Sequence, residues 1–117
     1  DLRLPAEDLT LIERADKTGA PVITILLSGR PLVLGAALEH SDAFIAAWLP
    51  GTEGHGVTDV LFGDFKPTGK LPMPWLKNNE ALADGADQKT PVKPLFPLGF
   101  GLSLPAANET RLMGKAN

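Results

Sequence analysis

Among residues whose type and spacing could do chemistry, Glu53 stands first, as the carboxylate of the stretch Leu49-Pro50-Gly51-Thr52-Glu53-Gly54-His55-Gly56. Glycine gives up more backbone entropy on folding than any other residue, so three within six positions point to positive φ angles or close backbone approach. A turn made at that cost around a single acid reads as a device for presenting it. The same spacing also fits a plain strand-to-helix connection at Gly51 and Gly54, with Glu53 in the first helical turn complementing the dipole.

The other reactive side chains are sparser. Arg30, beside Gly29, could clamp a carboxylate or a sugar hydroxyl, although a lone turn arginine more often pairs with a nearby acid for structural reasons. His40 and His55 are the only histidines and have no H-x-x-x-H spacing, which argues against a metal site. Trp48 and Trp75 could each offer a face to a sugar ring, but tryptophan at the end of an element usually packs at a core or rim. Gly51, Gly54 and Gly56 do not fit G-x-G-x-x-G, and there is no G-x-S-x-G elbow. Gly63, Gly69 and Lys70 approach a phosphate-binding loop, but one residue too many separates the glycines and Leu71 stands where Ser or Thr is needed.

The elements that must position Glu53 follow from periodicity. Pro5 suits a first helical turn, Glu7 and Asp8 add negative charge there, and Leu9, Leu11, Ile12 and Ala15 give a helical stripe that Lys17 and Gly19 end. Residues 22–27 are β-branched at four of six positions and apolar on both faces, the pattern of a strand covered by layers on either side in a parallel sheet. Ser28-Gly29-Arg30-Pro31 turns the chain, 32–34 read as a short extended piece, and 36–40 as weakly helical. Residues 43–49, bounded by Ser41-Asp42 and Pro50-Gly51, read as a second buried strand. The glycine turn then leads into a helix of about nine residues starting near Val57 and ending at Gly63, with Val57, Val60 and Leu61 on one face. In open α/β sheets, sites lie beyond the carboxyl ends of strands, where this turn falls.

Beyond Gly63, residues 71–75 are too proline-rich for a central strand. Residues 77–92 read as a surface loop. Residues 94–102 return apolar material to pack back onto the sheet, and 105–117 form a disordered tail.

Composition excludes several classes. The 117 residues carry a formal net charge of −3, so no basic stripe supports a nucleic-acid partner. No apolar run approaches the roughly 20 residues of a bilayer span, and residues 1–3 carry no leader pattern, so no membrane partner is expected. Without cysteine there are no disulfides and no thiolate metal sites.

Four blocks occur in a recognisable order: Ile25-Leu26-Leu27-Ser28-Gly29-Arg30-Pro31-Leu32; Ala46-Ala47-Trp48-Leu49-Pro50-Gly51-Thr52-Glu53-Gly54-His55-Gly56; residues 59–72, with Gly69-Lys70-Leu71-Pro72 at their end; and Pro94-Leu95-Phe96-Pro97-Leu98-Gly99-Phe100-Gly101-Leu102-Ser103. In this the chain resembles family 3 glycoside hydrolases of the β-glucan exohydrolase and β-glucosidase subgroup. The resemblance covers residues 1–104 and implies the C-terminal half of that family's α/β sandwich, an incomplete, mostly parallel sheet flanked by helices. Such enzymes set this domain beside an N-terminal barrel, with the active site in the cleft between them.

The implied chemistry is retaining hydrolysis of β-glucosides or β-glucan oligosaccharides, which needs a nucleophile and an acid/base carboxyl about 5 Å apart. Carried over residue for residue, the acid/base is Glu53. The family nucleophile is a barrel aspartate, and none of Asp1, Asp8, Asp42 or Asp59 lies in its motif. His55 stands where relatives often have glutamine. No cofactor and no metal are implied, and secreted or periplasmic relatives suggest that compartment. The contrasting expectation is a non-catalytic α/β interaction module in which Glu53 is a structural residue at a helix N-terminus.

Overall fold

The computed structural model describes residues 2–79 and 93–103. The loop expected over 77–92 lies outside the described residues from 80 onward, as does the tail expected over 105–117.

Two parallel strands form the centre. Strand β1, Ile23–Leu27, pairs with β2, Ala43–Trp48, in the register Ile23 to Ala43 through Leu26 to Ala46. Parallel neighbours need a crossover connection, supplied here by residues 28–42 with the short helix α2, Ala36–Glu39. The Ser41-Asp42 turn signal fixes the pairing at its amino end. Asp42 Oδ2 accepts the Val22 N–H at 2.7 Å, the Asp42 N–H returns to the Val22 carbonyl at 2.8 Å, and the Thr24 and Ser41 hydroxyls meet at 2.7 Å.

Helix α1, Ala6–Asp16, starts after Pro5 in an extended conformation, with Glu7 and Asp8 in its first turn. Leu9, Ile12 and Ala15 are half-buried, but Leu11 is 65% exposed and does not belong to the inward stripe. Spacing explains this: 9, 12 and 15 follow one face of a 3.6-residue helix, and 11 points about 200° from 9. The His40 ring ties α1 to α2, its Nδ1 2.7 Å from Asp16 Oδ2.

Apolar cover is unequal. The described residues buried most deeply are Leu34 and Ala37 in the crossover and Trp75 in the segment 71–75. Trp75 donates Nε1–H to the Leu32 carbonyl at 2.8 Å and pairs with Phe96 in an antiparallel bridge, while Leu71 pairs with 99–100. Residues 71–75 and 95–100 thus make a small ribbon, with Phe96 stacked on Phe100 at 4.6 Å. The 94–102 segment supplies one side of this ribbon, and the ribbon reaches the sheet where Trp75 meets Trp48. Along β1, burial alternates: Thr24 and Leu26 are half-buried, whereas Ile23, Ile25 and Leu27 face solvent. The cover expected on both faces of β1 is therefore present on one, because no described helix packs over the other. The molecule is α/β, with a small parallel sheet and helices, and incomplete as a sandwich.

Candidate active site

The turn after β2 sits at the carboxyl edge of the parallel pair. Only Gly51 of its three glycines has a positive φ, at 59°, and the Glu53 N–H closes the turn on the Pro50 carbonyl at 3.0 Å. Helix α3, Gly54–Phe62, begins at once, three residues before the expected start near Val57. Gly54 and Gly56 lie within it in ordinary helical backbone. Their poor helix propensity, about 1 kcal/mol each, is outweighed by the half-buried face of Val57, Val60 and Leu61. Gly63, at φ 85°, ends the helix where the sequence pattern placed it.

Glu53 occupies the N-cap position of α3, yet its side chain makes no capping hydrogen bond. Its carboxylate has one polar neighbour, the Thr52 hydroxyl donating to Oε1 at 3.4 Å, and is otherwise exposed. An open cavity of about 380 Å³ lies between β2, α3 and residues 65–69, lined by Ala47, Pro50, Glu53, Val57, Phe65 and Thr68 among others. Glu53 is the one ionisable group on its wall among the described residues. A lone, accessible carboxylate over an apolar floor can exchange a proton with a bound group, but it cannot by itself supply the pair that glycosyl transfer with retention requires.

The neighbouring turn of β1 reaches the same edge. The Leu49 side chain lies against Gly29, where an added Cβ would stand 3.3 Å from Leu49 Cδ1. Ser28 Oγ donates to the Arg30 carbonyl at 2.6 Å, and the Arg30 N–H donates to Ser28 Oγ at 3.3 Å. The Arg30 guanidinium has no acid partner among the described residues, contrary to the expected local ion pair. It borders a second cavity of about 170 Å³ with Leu2, Pro31, Met73 and Pro74. His40 is occupied with Asp16, and His55 is exposed on α3, so the two histidines serve separate places.

The tryptophans pack on each other, centroids 6.0 Å apart and tilted by 48°. Trp75 is buried, which removes it as a sugar platform. Trp48 shows a feature the residues did not announce: φ is +53° at a side chain that strongly disfavours it, a conformation worth about 1–3 kcal/mol of strain. It coincides with a bulge, since Leu26 faces Ala46 but Leu27 faces Trp48. Nothing in a run of apolar residues marks such an extra position. Phe65, on the cavity wall, is marked in the sequence only by its place two residues after a helix-ending glycine.

Residues 1–104 match the family model described as the glycosyl hydrolase family 3 C-terminal domain. Over 88% of its length the chain is 36% identical to a beta-xylosidase of Formosa agariphila, and over 88% it is 33% identical to a periplasmic beta-glucosidase of Salmonella typhimurium. It spans 16% of each of these proteins. Among solved structures, it superimposes on an exo-1,3/1,4-beta-glucanase from a Pseudoalteromonas species with a TM-score of 0.73 and 38% identity, covering 90% of this chain and 15% of that one. A beta-glucosidase from Listeria innocua gives 0.76 and 28%, covering 87% and 17%.

Proposed function

Since the chain belongs to the C-terminal domain family of family 3 glycosyl hydrolases, we propose that it is the part of a retaining β-glucosidase or exo-β-glucanase that supplies the acid/base, Glu53. The nucleophile stands on a barrel domain outside this chain, and the substrate is a β-glucoside or β-glucan oligosaccharide bound between the two. The observation that carries this reading is the Glu53 carboxylate, bonded only to the adjacent Thr52 hydroxyl and the single ionisable group among the described residues on the wall of an open cavity at the sheet's carboxyl edge. A helix-capping role would commit that carboxylate to backbone N–H groups, and no such bond is made. The periplasmic relative supports an extracytoplasmic setting.

In this mechanism Glu53 first donates its proton to the leaving glycosidic oxygen while the barrel nucleophile bonds to the anomeric carbon. It then takes a proton from the water that hydrolyses the glycosyl-enzyme. Closure of the barrel over the edge would exclude water from the cavity and bring the second carboxylate to the other side of the glycosidic bond.

The test is Glu53→Ala in a family 3 enzyme carrying this domain. Loss of proton donation should slow substrates with poor leaving groups by roughly 10²- to 10⁴-fold and spare activated aryl glucosides in the first step. Azide should restore turnover of the activated substrate and yield the β-glucosyl azide, because it needs no general base. The helix-terminus alternative predicts near-normal rates on both substrates, no azide effect, and a stability loss of about 1 kcal/mol or less.

A further inference from the structure

We propose that Trp48 is a positioning residue for Glu53, an inference that rests on the acid/base reading of Glu53 given above. Trp48 is the one non-glycine residue with positive φ among the described residues. It also closes the register slip in β2: Leu26 pairs with Ala46 and Leu27 with Trp48, leaving Ala47 unpaired. A bulge re-aims the chain that follows it, and a bulky residue stays in left-handed backbone only where its surroundings hold it there.

The hold is visible on both sides of the residue. The Trp48 carbonyl accepts the Ser28 N–H at 3.1 Å, which ties the bulge to the turn of β1. Its ring packs at 6.0 Å on Trp75, which is 3% exposed. Trp75 is fixed in turn by its Nε1–H bond to Leu32 and by its backbone pairing with Phe96. A bend alone would be made more cheaply by glycine. The tryptophan adds a direction, because its ring can dock on Trp75 in few orientations.

Five residues later stands Glu53. Between them the chain turns at Gly51 and closes from the Glu53 N–H to the Pro50 carbonyl, and the carboxylate's one polar neighbour is the adjacent Thr52. No side chain of another described element bonds to the Glu53 carboxylate. Its position is therefore set by the direction in which residues 49–53 leave the sheet, and the bulge at Trp48 sets that direction.

The experiment compares Trp48→Phe, Trp48→Gly and Trp48→Ala with Glu53→Ala in a family 3 enzyme carrying this domain, measuring kcat and KM on activated and poor leaving groups together with the melting temperature. A misplacement of about 1 Å at a reacting group costs about 10²-fold, so W48G and W48A should lose at least roughly tenfold in kcat on poor leaving groups with KM little changed. Activated aryl glucosides should lose much less, and W48F, which keeps a ring against Trp75, should fall between wild type and W48G. Glycine relieves the positive φ, so a loss shared by W48G and W48A assigns the effect to the ring and not to the strain. Equal losses on both substrate classes overturn the proposal, as does wild-type kcat in W48G or W48A. Should both truncations unfold, W48F decides alone: a loss confined to poor leaving groups supports positioning, and a uniform loss or none refutes it. Absence of leaving-group dependence in Glu53→Ala itself sinks the acid/base reading, a result separate from any Trp48 outcome.

Discussion

At Glu53 the backbone and the side chain do different things. The backbone N–H closes a turn on Pro50 and the carbonyl accepts from Gly56, so the residue's main chain is committed to the strand-to-helix connection. The carboxylate is not. This separation depends on Gly51, whose φ of 59° a residue with a Cβ adopts at a cost of about 1–2 kcal/mol. Gly51→Ala should therefore destabilise the domain by about 1 kcal/mol although nothing lies within 4 Å of the added methyl. Gly56→Ala, also in open space but in helical backbone, should stabilise it by about 0.5–1 kcal/mol. Urea unfolding of both variants checks the pair, and equal shifts would show that φ is not what distinguishes the two glycines. The turn and the one acid within it are legible in the sequence, because proline and glycine punctuate chains by local sterics. The sequence does not say which glycine uses its freedom, since Gly51, Gly54 and Gly56 look alike until the backbone is traced.

At the scale of elements, both strands were legible for a physical reason. β-Branched and apolar residues between turn signals have few alternatives over five or six positions. The bulge at Ala47 and the ribbon between 71–75 and 95–100 were not legible, because each depends on contacts far apart in the chain. Just beyond that ribbon's end, Gly101 lies so close to Gly69 that a Cβ would run into the Gly69 carbonyl and the Lys70 side chain, and the Lys70 ammonium donates to the Gly101 carbonyl. Backbone cannot yield there as a flexible side chain could. Gly101→Ala should part the ribbon near Leu71 and cost about 1–3 kcal/mol, the usual range for overpacking. Hydrogen exchange at the Leu71 and Gly99 amides, both bonded across the ribbon, reports it directly. Unchanged protection at both amides would show that the strands accommodate the methyl by sliding.

For the molecule as a whole, the outward face of β1 decides how the chain behaves alone. Ile23, Ile25 and Leu27 are 49%, 37% and 61% exposed along one face of a sheet that has two strands, each with an unpaired edge, among the described residues. Apolar surface of this kind gains about 25 cal/mol per Å² on leaving water, and an open edge offers backbone groups to another copy. The isolated 117-residue chain should therefore associate, its weight-average mass rising with concentration in sedimentation velocity runs. On the proposed acid/base reading it should also fail to hydrolyse aryl β-glucosides, because Glu53 would then be one carboxyl group of the two that retention requires. Ile25→Lys separates the causes of association. A charge on the bare face costs little in the monomer but opposes burial against a second copy, so it should lower association without lowering the unfolding midpoint. In an enzyme where the rest of the sandwich covers β1, the same substitution buries an unpaired ammonium and should destabilise strongly. A sharp, concentration-independent unfolding transition of a monomer that retains Ile25 would show that residues 1–117 complete their own fold. The exposed face would then have to be explained as a surface stable in water.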